Sequence, residues 1–212
     1  YMDRSVPIRK SGEGFDYYGF EQVFRPAAIT RERLARYVEF FSGKNNVLDV
    51  GCGRGEFLEL MKEAGIKASG VDDNADMAAQ CNDSGLTASH SDFKEHLASL
   101  PDGSLDGVFS SQFIEHISFE LLDSFFKLSY EKLMPGGVFI AETVNPYHLS
   151  AFRFFHVDPT HKKPLFQEVM EFLARSAGFQ KVKVIYLQYD PSLEPVEPWG
   201  YTDYAVIAEK IK

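Results

Sequence analysis

VLDVGCGRGEFL, residues 47–58, joins a short apolar run to a glycine-rich turn and the first residues of an amphipathic segment. The apolar run predicts a buried strand, and apolar side chains at helical spacing predict a helix over 55–64. Between them, the glycine loop (Gly51, Gly53 and Gly55) lets the backbone turn tightly and approach a ligand without Cβ interference. The helix after the loop presents unpaired N–H groups. This order of strand, turn and helix predicts a cofactor-binding loop.

An acidic residue follows at the position where a ribose would be recognised. Asp72 lies 21 residues after Gly51, at the end of the next predicted strand, where a carboxylate can accept hydrogen bonds from both ribose hydroxyls. A dinucleotide-binding fingerprint would require a third glycine at position 56, which is glutamate here. Because Glu56 would also repel a pyrophosphate at the helix N-terminus, the pattern predicts a nucleoside cofactor without phosphates.

Strands and helices alternate along the chain on either side of the glycine loop. Apolar runs predict strands over 46–51, 67–72, 86–89, 105–111, 137–144, 181–187 and 202–210. Helical spacing predicts helices over 27–41, 55–64, a segment ending near 83, a segment around 122–133, and 165–177. This alternation predicts an α/β domain with five parallel strands, followed by two strands that a proline-rich loop connects.

Composition places the chain among ordinary globular proteins. Its 212 residues suit one domain, and 44% are hydrophobic and 25% charged. The longest apolar run, 204–208, is far shorter than the ~20 residues that span a bilayer. A net charge of −9 argues against a nucleic-acid partner, and two cysteines are too few for a disulfide scaffold. With no signal-like start, we expect reduced thiols in a cytoplasmic protein without a membrane span, its oligomeric state open.

From about residue 45 onward, the chain resembles the class I S-adenosylmethionine-dependent methyltransferases. The resemblance rests on five segments in order: VLDVGCGRG (47–55), GVDDN (70–74), SDF (91–93), LDGVFSSQFIEHI (105–117) and KLMPGGVFIAE (132–142). It implies a three-layer, Rossmann-like methyltransferase fold. Such a fold has a seven-stranded, mostly parallel sheet with the last strand antiparallel and helices on both faces.

The resemblance also implies which residues hold S-adenosylmethionine and its product S-adenosylhomocysteine. The glycine loop would line the methionine half, and Asp72 would hold the ribose. Ser111 and Gln112 would lie beneath the sulfonium. The adenine would be surrounded by Asp73 or Asn74 at its border, Asp92 on its amino group and Phe93 on its ring.

We expect a single methyltransferase domain over 1–212, with an aromatic-rich N-terminal cap and helix (1–44) before the catalytic core (45–212). The cap is crowded with phenylalanine and tyrosine and carries Arg25. Arg25 is a candidate partner for the methionine carboxylate, and a surface arginine is the alternative.

The segment 142–164 follows the fifth predicted strand, where this family often builds its acceptor site. His161 and His116 are candidates for a general base, because histidine titrates near neutral pH. The spacing His156-x-Asp158-x-x-His161 could ligate a metal. Since no further ligand cluster accompanies it in the sequence, we expect no metal and a metal-independent reaction.

These features predict an S-adenosylmethionine-dependent methyltransferase that methylates a hydroxyl of a glycan or small molecule by in-line transfer. The glycan is suggested because NP (145–146) and DPTHKKP (158–164) resemble methyltransferases associated with surface-polysaccharide synthesis. ETVNP (142–146) and the later Thr-His are similar to quinone O-methyltransferases. Two alternatives stay open: a non-catalytic adenosyl-cofactor-binding domain of a larger assembly, and an NAD-type oxidoreductase, which Glu56 disfavours.

Overall fold

The computed structural model describes residues 15–211, in which seven strands form one sheet. The strands are β1 (Val47–Val50), β2 (Ala68–Asp72), β3 (Ala88–His90), β4 (Leu105–Ser111), β5 (Leu133–Val144), β6 (Lys181–Tyr189) and β7 (Tyr201–Glu209). Their order is β3-β2-β1-β4-β5-β7-β6, and β7 is antiparallel to both of its neighbours. The Rossmann-like fold with an antiparallel last strand is therefore confirmed.

Eight α-helices and two 3-10 helices connect these strands within the described residues. The α-helices are α1 (Tyr17–Phe24), α2 (Ala27–Leu34), α3 (Glu56–Glu63), α4 (Ala75–Asp83), α5 (Phe93–Ser99), α6 (Phe119–Lys132), α7 (Leu149–Phe155) and α8 (Gln167–Ala177). The 3-10 helices are Ala35–Phe41 and Ile114–His116. In the part of the chain that the structure describes, no helix has the length and apolar character needed to cross a membrane.

Three of these helices, α1, α5 and α7, were not predicted from the sequence. Each has eight residues or fewer, which is too short for a helical period to stand out. The prediction of one continuous helix over 27–41 was wrong for its second half, where a 3-10 helix follows α2. The tighter 3-10 winding is common at helix ends, and here it buries Tyr37 and Phe41 completely against the sheet.

Helices cover both faces of the sheet. On one face, α5, α6 and α8 surround a core that includes Phe125, Phe126 and Phe139. On the other, α2, the first 3-10 helix and α3 enclose a second core, in which the rings of Phe57 and Phe109 stack 3.8 Å apart. Buried aromatic rings of this kind contribute most of the apolar area in such cores.

Four segments with polar side chains lie at the carboxyl ends of the parallel strands. The glycine loop follows β1, Asp72 ends β2, Ser111 ends β4, and residues 145–164 follow β5. The strand order changes direction between β1 and β4, and in open α/β sheets ligands bind in the crevice at such a point. The fold therefore brings the cofactor-binding and acceptor segments expected from the sequence to one edge of the sheet.

The contact between Gly107 and Phe41 tests how closely the first 3-10 helix packs on the sheet. A Cβ atom at Gly107 would lie 2.7 Å from two Phe41 ring atoms and 3.0 Å from Val47 Cγ2. We expect Gly107→Ala to lower the free energy of unfolding by about 1–3 kcal/mol through overpacking, measured by urea denaturation. In Gly107→Ala/Phe41→Leu the smaller side chain makes room for the methyl group, so the loss should be less than the sum of the single losses. Strict additivity would contradict this packing.

Candidate active site

The glycine loop adopts a backbone conformation that favours glycine. Gly51, Gly53 and Gly55 have φ angles of 73°, 52° and 88°, in the left-handed region. A Cβ atom at Gly51 would lie 2.7 Å from the Phe113 ring, and one at Gly55 would lie 2.7 Å from Leu86 Cδ1. At Gly53, a Cβ atom would meet no atom of the described residues within 4 Å, chain neighbours aside. Close packing thus fixes the first and third glycines, while the second faces open space.

The Asp72 carboxylate ties this loop to the end of β2. Its Oδ2 accepts a hydrogen bond from the Gly53 N–H and its Oδ1 accepts one from the Asn74 N–H, each at 2.9 Å. Burial raises the pKa of Asp72, and these two backbone hydrogen bonds oppose the rise. Each oxygen retains a further lone pair, so the oriented carboxylate can still accept hydrogen bonds from the two hydroxyls of a ribose.

A cleft of about 180 Å³, here named the Asp72 cleft, opens beside this carboxylate. It brings together predicted cofactor residues with others that the sequence analysis did not assign. Its lining comprises Gly51, Val71, Asp72, Asp73, Ser91, Asp92, Phe93, Phe113, His116, Ile117, Leu121 and Lys162. An adjoining cavity of about 380 Å³ shares Asp72, Asp73, Phe113 and His116 with it and adds Tyr17, Asn74, Gln112 and Thr160.

Helix capping positions the polar residues predicted to border the adenine. Asp92 is the N-cap of α5 and accepts hydrogen bonds from the N–H groups of Lys94 and Glu95 at 2.8 and 3.1 Å. Asn74 caps α4 in the same way. Phe93 is buried, with its ring edge-on to Phe113 at a centroid distance of 5.3 Å. Each of these residues thus has a structural role, and their contacts with adenine remain predictions.

Ser111 and Gln112 lie at the end of β4, as the predicted sulfonium site requires. Gln112 has a φ angle of 53°, and its Nε2 donates hydrogen bonds to Asp203 Oδ1 at 3.0 Å and Glu142 Oε1 at 3.3 Å. Ser111 pairs with Glu142 across the sheet register. The Gln112 side chain is thus held by two carboxylates at the rear of the crevice, and the contact of either residue with the sulfonium stays a prediction.

The side chain of Glu56 has a different role from the one that the sequence suggested. Its Oε1 accepts hydrogen bonds from Arg54 at 2.8 Å, and Arg54 Nη2 also donates to the Arg25 carbonyl oxygen at 2.7 Å. The positive charge of Arg54 offsets the negative charge of the Glu56 carboxylate, which weakens the expected repulsion of a pyrophosphate. The argument against a dinucleotide therefore depends on the missing third glycine.

A second cavity of about 480 Å³, here named the His161 cavity, lies on the other side of Gln112. Its apolar lining consists of Phe20, Phe24, Val144, Ala151, Phe154 and Val157. Its polar lining consists of Arg25, Arg33, Gln112, Asp158, His161, Thr202 and Asp203. An apolar wall with a few convergent polar groups is typical of a small-molecule site.

The two arginines of this cavity are paired with carboxylates. Arg25 lies 2.7 Å from Glu21 and 3.8 Å from Asp158. Burial disfavours the Arg25 charge, but Glu21 and the other nearby acidic groups raise the pKa of Arg25 above its ordinary value. Arg33 lies 3.1 Å from Glu142 and 3.2 Å from Asp203. The structure places Arg25 in the His161 cavity, and its pairing with the methionine carboxylate remains a prediction.

Four side chains meet between the cleft and the cavity and form what we call the His–carboxylate cluster: the buried carboxyl groups of Glu115 and Asp158 and the partly buried imidazoles of His116 and His161. His161 Nε2 lies 3.9 Å from Glu115 Oε1 and 3.7 Å from Asp158 Oδ2. The rings of His116 and His161 are 4.5 Å apart. Thr143 donates a hydrogen bond to the other Glu115 oxygen at 2.9 Å. His116 lines the Asp72 cleft and His161 lines the second cavity, so the cluster forms a shared wall.

The hydrogen-bond network assigns the tautomers of both histidines. His161 Nδ1 lies 2.7 Å from the Phe155 carbonyl oxygen, which can only accept, so Nδ1 carries the hydrogen. Thr160 Oγ1 donates its hydrogen to Asp158 Oδ1 at 2.6 Å and therefore accepts from His116 Nδ1 at 2.8 Å. In both imidazoles, Nε2 thus carries a lone pair, and that of His161 faces the carboxyl groups of Glu115 and Asp158.

Burial keeps these imidazoles neutral and weakens the acidity of the glutamate. Burial and the neighbouring His161 lower the pKa of His116 to about 3. Burial also lowers the pKa of His161 below its usual value. Burial raises the pKa of Glu115 to about 7. Neutral imidazole can accept a proton or bind a cation, so the cluster can do either.

Part of this cluster was not foreseen. Glu115 had no assigned role beyond its place in the segment 105–117, and it is 1% exposed with its side chain inside the cluster. His156, which the sequence analysis grouped with Asp158 and His161, is exposed, and its ring packs on Phe152 and Phe155 instead. The two histidines that do meet come from segments 45 residues apart, which no local motif could indicate.

The two cysteines are free and buried. Cys81 donates a hydrogen bond to the Gly53 carbonyl oxygen at 3.3 Å. Cys52, which lies within the glycine loop, packs on β2 so closely that a Cβ atom at Gly70 would lie 2.5 Å from its sulfur. Both thiols therefore support the loop by packing.

Comparison with known families and proteins gives a consistent result. A family model described as a methyltransferase domain matches residues 12–184. A probable S-adenosylmethionine-dependent methyltransferase of Mycolicibacterium smegmatis is 30% identical over 159 residues, which cover 74% of this chain and 59% of that protein. The human mitochondrial ubiquinone biosynthesis O-methyltransferase is 26% identical over 164 residues, covering 68% of this chain and 44% of that protein. The chain thus spans about half the length of these relatives.

Solved structures share the fold. A SAM-dependent methyltransferase from Archaeoglobus fulgidus superposes with a TM-score of 0.86 and 37% sequence identity, covering 92% of this chain and all of that one. A Haemonchus contortus phosphoethanolamine N-methyltransferase in complex with S-adenosyl-L-methionine superposes with a TM-score of 0.68 at 18% identity, covering 85% of this chain and 53% of that one. The second likeness concerns the fold alone.

Asp72 provides a direct test of the cofactor site. We expect one S-adenosylmethionine or S-adenosylhomocysteine to bind per chain, and nicotinamide dinucleotides not to bind. Asp72→Ala should weaken this affinity about tenfold or more, because it removes charge-assisted hydrogen bonds worth ~1.5–3 kcal/mol each. Asp76→Ala, an exposed substitution in the first turn of α4, is the matched control. Titration calorimetry that gave the same affinity for Asp72→Ala and wild type would refute the assignment.

Proposed function

Because the chain belongs to the S-adenosylmethionine-dependent methyltransferase family, we propose that it transfers the methyl group of that cofactor to a hydroxyl oxygen of a small molecule or glycan. The observation that carries this proposal is that the cofactor side and the His161 cavity meet at Gln112. Gln112 lines both the cavity that adjoins the Asp72 cleft and the His161 cavity. An acceptor in the His161 cavity would therefore meet a methyl group presented beside Gln112.

Alignment is the main requirement of this reaction. Methyl transfer from a sulfonium is an in-line displacement, so the acceptor oxygen, the methyl carbon and the sulfur must lie on one line. Holding the two reactants in this geometry can contribute ~7–11 kcal/mol. Gln112 lines the His161 cavity and the cavity that adjoins the Asp72 cleft. Its side chain is anchored by Glu142 and Asp203, which supports the proposed position of the sulfonium at this residue.

The cluster supplies groups that can take the acceptor's proton. A hydroxyl is a poor nucleophile, and a positioned general base contributes about 10²–10⁴-fold. His161 is our first candidate for this base, because its Nε2 lone pair lies in the wall of the second cavity and its imidazole is neutral. His116 is the second candidate, because its imidazole is neutral and lines the Asp72 cleft.

The choice of oxygen as the acceptor atom is supported by the relatives and by the cavity. The human relative and one from Psychrobacter arcticus are named as ubiquinone biosynthesis O-methyltransferases. The rings of Phe20, Phe24 and Phe154 line the cavity and can pack on the face of a sugar or of another ring. The resemblance of 158–164 to polysaccharide-associated methyltransferases supports the glycan within this proposal.

A non-catalytic cofactor-binding domain is the remaining alternative. Such a domain needs the Asp72 cleft but has no use for a second cavity that ends on neutral imidazoles. The oxidoreductase alternative has no support from the family match or from the relatives. We therefore rank the methyl transfer first.

Replacement of His161 separates cofactor binding from acceptor chemistry. We expect His161→Ala to retain cofactor affinity and to lower turnover by about 10²-fold or more, because it removes a group that acts on the acceptor. Turnover is measured as S-adenosylhomocysteine release with a panel of simple phenols, alcohols and methyl glycosides. His156→Ala, five residues earlier and exposed, is the matched control and should retain full turnover.

Melting temperatures of both variants show whether the chain remains folded. If His161→Ala melts at a lower temperature but the folded fraction turns over normally, His161 serves packing and the assignment is wrong. The same measurement on His116→Ala then tests the second candidate.

A further inference from the structure

The His–carboxylate cluster has an unusual electrostatic composition. Glu115 Oε1, His116 Nε2, Asp158 Oδ2 and His161 Nε2 are all buried and have no hydrogen-bond partner among residues 15–211. The tautomers assigned above make both nitrogens acceptors, and the oxygens belong to carboxyl groups. With Glu115 ionised, all four atoms are acceptors, and three of them, His161 Nε2, Glu115 Oε1 and Asp158 Oδ2, face one another without a donor between them. Leaving buried acceptors unsatisfied destabilises a folded protein, so a cation or a donor is expected to complete the arrangement.

We propose that Glu115, His116 and His161 bind a divalent transition-metal ion, with zinc favoured over magnesium. Their ligand atoms all lie within 4.8 Å of one another. A zinc ion with ligands at about 2.0–2.2 Å needs neighbouring ligand atoms roughly 3.4 Å apart, so small rotations of these side chains would close the site. Two imidazole nitrogens suit zinc, whereas magnesium prefers oxygen ligands and water.

Hydrogen bonds already orient the three ligands. The Phe155 carbonyl holds His161 through Nδ1, and Thr160 holds His116 through Nδ1. Thr143 holds the second oxygen of Glu115. Metal-binding histidines characteristically donate their other N–H to a carbonyl or carboxylate-linked group in this way. The side chain of Glu115 is fully buried and that of His161 is 3% exposed, so this is an interior site rather than a surface cluster.

Asp158 and Arg25 adjust the charge around the site. Asp158 Oδ2 lies 3.7 Å from His161 Nε2 and 3.8 Å from Arg25 Nη2. The Asp158 carboxylate therefore stands between the guanidinium and the proposed ion and partly screens their repulsion. When Glu115 is ionised, as coordination of a cation requires, Glu115 and Asp158 carry two negative charges against the single positive charge of Arg25, which leaves the site attractive to a divalent cation.

The sequence predicted a metal-independent reaction, because only His156, Asp158 and His161 stand together along one segment as possible ligands. The fold instead brings Glu115 and His116 from the end of β4 to His161 and leaves His156 outside. Three protein ligands are the usual number in a catalytic zinc site, where a fourth position stays open for an oxygen of water or substrate.

The role of this ion rests on the proposed function, whereas its binding does not. An acceptor hydroxyl in the second cavity could take the open position, and a coordinated oxygen is more acidic than a free one. With the ion bound, the His161 lone pair is committed to it. The loss of turnover expected for His161→Ala would then come from loss of the ion.

The test measures metal binding without cofactor or acceptor. The untagged chain is treated with chelator, dialysed, and titrated with zinc chloride and, in parallel, with magnesium chloride. We expect one zinc per chain and much weaker binding of magnesium. Glu115→Gln and His116→Ala should each weaken zinc binding by about 10²-fold, while His156→Ala leaves it unchanged. Circular dichroism confirms that each variant is folded, and Glu115→Gln preserves the shape of the side chain if His116→Ala proves unstable.

Two results would overturn the proposal. One is the absence of stoichiometric zinc binding to the folded, chelator-treated chain. The other is zinc binding that His156→Ala abolishes and Glu115→Gln leaves intact, which would identify an adventitious surface site. Methyl transfer that persists in the chelated enzyme would leave the proposed function standing and would contradict only the role of the ion.

Discussion

The two hydrogen bonds that Asp72 accepts from Gly53 and Asn74 fix the geometry on which the site depends. They join the glycine loop after β1 to the turn after β2, so two neighbouring strand ends become one rigid unit. Because both bonds come from backbone N–H groups, the carboxylate keeps its orientation without relying on a mobile side chain. A cofactor bound at Asp72 would be aimed along the crevice toward the end of β4, where Gln112 and the second cavity begin.

The wall between the two cavities follows a different physical rule. Buried acceptors normally find donors, yet the cluster of Glu115, His116, Asp158 and His161 has four buried polar atoms that find no hydrogen-bond partner within the described residues. Local conflicts of this kind are expected at functional sites rather than in structural cores. The surrounding fold holds them there, because Glu115 and His116 lie on a 3-10 helix fixed by β4 and His161 is fixed by the Phe155 carbonyl.

The features that sequence analysis anticipated are those determined by a few consecutive residues. The glycine loop and Asp72 each lie at the end of one strand, and the spacing between them is set by a single βα unit. The cluster could not be foreseen in the same way. His116 and His161 were each predicted as a candidate base, but their contact depends on how the segment after β5 folds back over β4. That segment contains α7, which is too short to be recognised from the spacing of its apolar residues. Glu56 shows the opposite error. Its predicted repulsion of a pyrophosphate considered only the helix end, whereas the neighbouring Arg54 offsets the charge of the carboxylate.

A crystal structure of the chain with S-adenosylhomocysteine tests the central claim most directly, because that claim concerns where the adenosine and the sulfur of one ligand lie. The account predicts that both ribose hydroxyls contact the Asp72 carboxylate, with the adenine near Phe93 and the sulfur at Gln112, facing the cavity that contains His161. An adenosyl group bound away from Asp72, or a sulfur separated from that cavity by protein, would contradict the methyl transfer proposed at Gln112.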